Sequence, residues 1–294
     1  MTLPARQAHY ARFYASPPTV HTADGIKHWI TRSANFAVVA SQVRAGAVLA
    51  RTDQPDEYMT LLPEDLGAQL EAGTQSVTCS GDSLTIMPPG ASRVTATRDG
   101  WIYRFFSNRA TDILAAAGNG ADYAQGTDHV APLVPWPEPV GGWKLRHYKL
   151  ADYVRAENSL RLFRSSNLMI NIFVPQTKPR DIHKMTPHAH TDFEQGSLSL
   201  AGSYVHHLRY PWTPDMTTWR EDDHGAVDSP SLVVIPPHVI HTTQAVGTAR
   251  TRLVDIFCPP RADFSLKPDW VRNAHDYPLP PHLASQPAVT GAVA

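Results

Sequence analysis

The residues of this chain best suited to chemistry lie in Pro187-His188-Ala189-His190-Thr191-Asp192-Phe193-Glu194. Two histidines sit one residue apart, a glutamate follows, and His241 stands 51 residues beyond His190 in Pro236-Pro237-His238-Val239-Ile240-His241. On a β-strand side chains alternate, so His188 and His190 point the same way. With Glu194 at the strand end and His241 from a neighbouring strand, they would make a mixed nitrogen and oxygen site for Fe, Mn, Ni, Cu or Zn. A lone histidine on a strand is ordinarily a hydrogen-bonding residue. Two on one face with a spaced carboxylate and a distant third are better read as ligands. Other constellations are poor: there is no Gly-x-Ser-x-Gly elbow, phosphate-cradling glycine loop or Cys-x-x-Cys, and no organic cofactor signature.

Around these ligands, His183, His207, Arg209 and His238 are candidate pocket residues. His206 and His207 fall on an expected strand, Ser203 to Tyr210, where alternation sends only one of them inward. His207 and Arg209 share a face that suits a carboxylate, or else an outward face paired with acids. Gln195 is expected opposite Glu194. Asp192 and Glu221 are candidate partners for the second ring nitrogens. The stretch Tyr210 to Val227, with Trp212, Met216 and Trp219, reads as an insertion that lids a barrel mouth or packs on a neighbour.

The elements that must position these residues are short and β-rich: Phe36 to Val43, Ser83 to Met87, Trp101 to Phe106, Leu160 to Val174, Leu232 to Ile235 and Arg252 to Phe257. Glycine and proline bound them, as in an all-β barrel or sandwich. One helix is expected over Asn108 to Ala117, with Asn108 as N-cap and Gly118 as stop. Residues 131–142 form a proline-rich linker, and 277–294 an extended or mobile tail. The 294 residues are 42% hydrophobic and 18% charged with net charge −1, so a packed core is expected and charge-driven nucleic-acid binding is not. No apolar run reaches the roughly 20 residues of a membrane span, and residues 1–20 do not read as a signal peptide. Two cysteines, Cys79 and Cys258, fit a reducing cytoplasm.

The chain also repeats itself. Gly81-Asp-Ser-Leu-Thr-Ile-Met-Pro88-Pro89 parallels Asp228-Ser-Pro-Ser-Leu-Val-Val-Ile-Pro236-Pro237, which sets Arg93 where His241 stands. A weaker match aligns Arg51, Asp53 and Glu57 with His188, His190 and Glu194. Guanidiniums cannot ligate a metal, so the first copy is expected to be disarmed, its four charges satisfying one another inside a barrel.

His188, His190, Glu194 and Gly202, followed by Pro236, Pro237 and His241, resemble the two motifs of the cupin superfamily. Two departures stand out: no glycine separates Pro237 from His241, and none lies in Arg180 to Met185. With two copies the chain resembles a bicupin over roughly residues 30–260. The resemblance implies an all-β fold of two cupin-type β-barrels, double-stranded β-helices of jelly-roll kind, with few short helices. It places a degenerate barrel in 1–130 and a metal-binding barrel in 143–276. It further implies a divalent metal, Fe(II) ahead of Mn, Zn or Ni, on His188, His190, Glu194 and His241. The activity implied first is an Fe(II) dioxygenase acting on a small polar or carboxylated molecule. An isomerase, lyase or decarboxylase using Mn or Zn comes next, then a non-catalytic metal- or ligand-binding cupin. A small-molecule substrate and a homodimer through barrel edges are the expected partners, with no nucleic acid and no membrane.

Overall fold

A computed structural model of the chain describes residues 6–64, 66–156 and 159–285. Central strands of its large sheets are buried on both faces, which is why they read as nearly continuous apolar runs. The first half carries β1 (His9–Arg12), β2 (Val20–His21), β3 (Lys27–Arg32), β4 (Phe36–Val43), β5 (Val48–Gln54), β6 (Tyr58–Leu62), β7 (Ala68–Ala72), β8 (Gln75–Cys79), β9 (Ser83–Met87), β10 (Gly90–Ala96) and β11 (Gly100–Ser107). The second carries β12 (Arg146–Lys149), β13 (Leu162–Arg164), β14 (Met169–Ile172), β15 (Gln195–Ala201), β16 (Ser203–Arg209), β17 (Asp223–Val227), β18 (Ser231–Ile235), β19 (Ile240–Val246) and β20 (Arg252–Phe257).

Each half pairs a large sheet with a small one. The large sheets run β12-β9-β6-β11-β4-β3-β2 and β1-β18-β15-β20-β14-β13, and the small ones β5-β10-β7-β8 and β17-β16-β19. From β12 and β1 onward the two large orders coincide, with β9 matching β18, β6 matching β15, β11 matching β20 and β4 matching β14. The duplication seen in the sequence is thus a duplication of topology. It carries a reciprocal exchange: β1 pairs with β18 of the second barrel and β12 with β9 of the first.

The largest apolar cluster lies between the two large sheets and draws on both halves, with Phe36, Val38, Met59 and Phe105 meeting Ile170, Leu198, Val254 and Ile256. Contact there is tight enough that a Cβ on Gly196 would come 2.9 Å from the Phe36 ring. The opposite faces of the same strands line the two barrel interiors. The first interior is packed by Tyr58, Leu62, Met87, Ile102 and Phe106. The second has smaller and more polar side chains at matching positions. Gln195, Ser197 and Ser199 stand in β15 where Tyr58, Thr60 and Leu62 stand in β6, and Asn171 in β14 matches Val39 in β4.

The four charges aligned with the motif do not meet inside the first barrel. Arg51 forks onto Asp112, Asp53 and Arg93 are exposed, and a bulge between Gly90 and Ser92 turns Ser92 inward, opposite Arg51, where its hydroxyl lies 2.9 Å from the Tyr58 hydroxyl. Glu57 leaves the barrel altogether. It is fully buried against the second half, where it accepts hydrogen bonds from the Ser166 amide at 3.1 Å and the Tyr277 hydroxyl at 2.8 Å, with Arg146 3.9 Å away. Burial pushes its carboxyl above the usual range.

Other local expectations shift. The helix shortens to α1 (Thr111–Ala115), because Asn108 does not cap it but bonds Ala34 O and Asn35 Oδ1. Leu160 to Val174 divides into β13 and β14, since Ser165 Oγ accepts from the amides of Asn167 and Leu168 and folds the hairpin between them. The expected tail begins on a buried anchor, Tyr277, and carries a second short helix later than α2 (Ala262–Ser265), namely α3 (Pro281–Ala284), with Leu283 buried; residues 286–294 lie outside the described residues. Both cysteines are free.

Removing Glu57 strands buried donors of the second half, so Glu57→Ala is expected to cost about 3–5 kcal/mol. Gly196→Ala, which only crowds the sheet interface, is expected to cost about 1–3 kcal/mol. Urea unfolding midpoints at unchanged m-value check the order.

Candidate metal centre

His188 and His241 form an isolated antiparallel bridge, with amide-to-carbonyl bonds of 3.1 and 2.7 Å in the two directions. Their side chains therefore lie side by side. The His190 carbonyl accepts from the His238 amide at 2.6 Å, which brings the third imidazole to the same place. The three rings lie 4.5 to 5.2 Å apart by centroid, and one nitrogen of each falls within 4.8 Å of the others. Among the described residues this is the one such group of three or more metal-capable side chains. His188 Nδ1–H donates to Thr186 O and His241 Nδ1–H to Val239 O, both at 2.9 Å, so each ring turns its Nε2 lone pair outward. His190 donates from Nε2 to Gln195 Oε1 at 2.9 Å and packs against Phe193 at 4.5 Å. Burial pushes His190 down to about 3 and His241 to about 4, and lowers His188, so all three are neutral imidazoles at neutral pH.

Glu194 does not join them, which corrects the ligand set expected from the sequence. It is the symmetry mate of Glu57 and crosses to the first half, accepting from the Ala34 amide at 2.6 Å, His129 Nε2 at 2.8 Å and the Tyr123 hydroxyl. Each glutamate caps the other half's hairpin: Arg32-Ser-Ala-Asn-Phe36 for Glu194 and Arg164-Ser-Ser-Asn-Leu168 for Glu57. In both, the serine hydroxyl accepts from the two following hairpin amides. Alternation then puts Gln195, next in the chain, on the side facing the histidines.

The expected pocket residues also lie elsewhere. His183 and His238 are exposed, and His238 takes a left-handed φ of 66° after Pro237, where the first barrel has Gly90 at 92°. On β16 it is His206 that points inward, fully buried and 3.0 Å from Thr243 Oγ1. His207 faces out against His224 and Gln244, and Arg209 is exposed in an ion pair with Asp222. The 210–227 stretch supplies no wall of the cavity. Its last part is β17, and Trp212 and Trp219 stack at 4.3 Å on the outside.

A cavity of ≈ 500 Å³ opens beside the triad, with His188, His241 and Gln195 in its wall. Sequence reasoning missed Asn171, Asp255, Arg180 and Arg261, which also line it. The signal was present: Gln195-x-Ser197-x-Ser199 alternates polar with apolar and marks a polar interior. Asp255, on β20, accepts from Ser197 Oγ at 3.2 Å. Arg261 forks onto Asp263 and lies 3.6 Å over the Phe264 ring. Burial pushes the Asp255 carboxyl up from 3.8 to about 7, against the pull of Arg261 and Arg180.

Comparison with solved structures places this architecture. Oxalate decarboxylase from Lactobacillus farciminis, in complex with formate, superposes with a TM-score of 0.56 at 12% identity over 86% of each chain. A variant of the Bacillus subtilis oxalate decarboxylase gives 0.57 at 10% identity, over 90% of this chain and 82% of that one. Protein Ylba from E. coli gives 0.58 at 10%, over 86% and 91%. The fold is that of the cupins in its two-barrel form. No protein-family model and no curated protein sequence matches the chain. Among the described residues no helix is long and apolar enough to cross a membrane.

The folded chain holds the Asp255 proton more tightly than the unfolded chain does, so this residue's contribution to stability falls as pH rises from about 4 to about 7. Asp255→Asn removes that slope. The variant is expected to match the parent near pH 4 and to exceed it by on the order of 4 kcal/mol near pH 8, read as the difference in urea unfolding free energy across pH on metal-free protein.

Proposed function

We propose that the chain is a mononuclear divalent-metal enzyme whose second barrel acts on a small carboxylated molecule. The convergence of three neutral imidazoles beside a cavity, two of them in its wall, carries this reading. The donor set fits a divalent ion: two Nε2 lone pairs are left over once backbone carbonyls hold the Nδ1 protons, and His241 Nε2 is buried with no partner. His188, His190 and His241 would hold the ion, and with no anionic ligand among them it would supply strong Lewis acidity toward a carboxylate or carbonyl oxygen.

The chain's own residues supply the rest. Lys178, Arg180 and Arg261 set positive charge around the cavity and favour entry of an anion. Gln195 fixes the His190 ring through its hydrogen bond. Phe173, Leu253 and Phe257 form an apolar wall that thins the water around a bound carboxylate.

Cleavage of a bond beside the carboxylate, as in a decarboxylation, is the reaction we favour. Neutral ligands and a carboxyl group near neutrality in the same cavity suit Lewis-acid and proton chemistry. The likeness to oxalate decarboxylases is one of fold and leaves the substrate open. Oxygen-dependent chemistry with Fe(II) is the second reading, favoured by a triad that lacks the expected glutamate and so leaves more of the ion's positions to small ligands.

Protein purified without a metal-affinity tag is expected to carry about one divalent ion per chain. His190→Ala and His241→Ala should lose it, Gln195→Ala should weaken binding roughly 10–100-fold, and Glu194→Gln should keep it while lowering stability. Metal analysis with carbon dioxide release and oxygen uptake, recorded against a panel of small carboxylic acids, decides the rest. Carbon dioxide without oxygen uptake supports the first reading, and substrate-dependent oxygen uptake with Fe(II) the second. A metal-free protein that takes up neither Mn(II) nor Fe(II) overturns both.

A further inference from the structure

Two acids line the cavity: Asp181 is exposed and accepts from the His183 amide, while the presence of Asp255 is explained by neither the fold nor the triad. Asp255 sits mid-strand on β20, with Ser197 of β15 and Asn171 of β14 as its direct neighbours across the sheet. At the matching place in the first barrel, between Thr60 and Val39, stands Arg104. The architecture therefore asks for no carboxylate there. A barrel interior also disfavours one, because an ionised carboxylate is costly to bury without a paired charge. Arg180 and Arg261 are the cations that act on it, yet Arg180 is bonded to Thr243 O, Lys184 O and Thr186 Oγ1, and Arg261 to Asp263. Ser197 is the one hydrogen-bond partner of Asp255 among the described residues, and the rest of the carboxyl faces the cavity that the histidines share.

We propose that Asp255 is the proton-transfer residue of this cavity, donating a proton to a carboxylated substrate held between the histidine triad and Arg261. This rests on the metal-enzyme reading above and assigns it a proton donor. Arg261 is suited to the partner role: it lies near Asp255 and all three histidines, its Nη1 makes no hydrogen bond among the described residues, and Phe264 and Asp263 fix its plane. In a decarboxylation the carbon–carbon bond to the departing carboxylate breaks and carbon dioxide leaves. The electron pair left on the remaining carbon takes the proton from Asp255, whose new carboxylate faces Arg261 and Arg180 and regains a proton from cavity water. A carboxyl group poised near neutrality can be reset in each cycle. Tyr204, which also faces it, is raised far above neutrality and stays protonated throughout, and the triad stays neutral.

The probe is oxalate, titrated calorimetrically into the Mn(II)-loaded full chain near neutral pH in buffers of different ionisation enthalpy. An anion arriving beside Asp255 raises its proton affinity, so the parent protein is expected to take up a proton on binding. Asp255→Asn should bind both Mn(II) and oxalate without that uptake. Ser197→Ala, which removes the donor that favours the ionised form, should shift the pH at which uptake fades upward. Equal uptake in the parent and in Asp255→Asn overturns the assignment, as does oxalate binding with no uptake, or no oxalate binding by the Mn(II)-loaded parent. Failure of the parent to take up Mn(II) while the infrared band of a protonated carboxyl, absent in Asp255→Asn, still titrates near neutrality counts against the metal reading alone.

Discussion

Two buried carboxylates, each satisfied only by the opposite half, set the geometry on which the rest of this molecule depends. Glu57 and Glu194 leave their own barrels to cap matching hairpins across the pseudo-twofold, and each would be an uncompensated charge if the halves parted. Around them the two large sheets bury a shared apolar layer, and Arg250 and Arg252 reach Glu64 and Asp82 at its edge. Because the glutamate is committed to the neighbouring half, the position next to it turns inward. In the second barrel that position is Gln195, and in the first it is Tyr58.

This one alternation separates a working interior from a filled one. Tyr58, Thr60 and Leu62 occupy with bulk what Gln195, Ser197 and Ser199 leave open, and the ≈ 500 Å³ cavity lies on the second side. The histidine bridge, the polar floor of Asn171 and Asp255, and the cationic rim all depend on that missing bulk. The first barrel keeps the same strand order but packs its interior, and it serves the second as a braced wall.

Much of this was legible in the residues. The strands Phe36–Val43, Ser83–Met87 and Arg252–Phe257 coincide with the structure because buried apolar runs bounded by glycine or proline admit few other readings. The three histidines were legible because the His-x-His alternation and the Pro-Pro turn are local. Glu194 was misread because its spacing from His190 satisfies the expected pattern while its partners, Ala34, Tyr123 and His129, are set by tertiary contact. Arg32-Ser-Ala-Asn and Arg164-Ser-Ser-Asn repeat the hairpin in the sequence but not the distant glutamate that caps it. Asp255 and Arg261 lie in no motif, and only the closure of the barrel brings them to the histidines. The inward residue of β16 was a choice between His206 and His207 that the register with β19 settles, by setting His206 against Thr243.

The exchange of β1 and β12 has a consequence for how the chain is made. β1 is synthesised well before its partner β18, with His9 opposite Val234. At ordinary ribosomal speeds of about 5–20 residues per second, the strand must wait on the order of ten to forty seconds for that edge to exist. Through that interval the second barrel's edge is missing and the first strand has nothing to add to. The first barrel has all its strands once β12 has emerged, whereas the second needs both β1 and strands out to Phe257, so the halves, though copies in topology, are completed in turn.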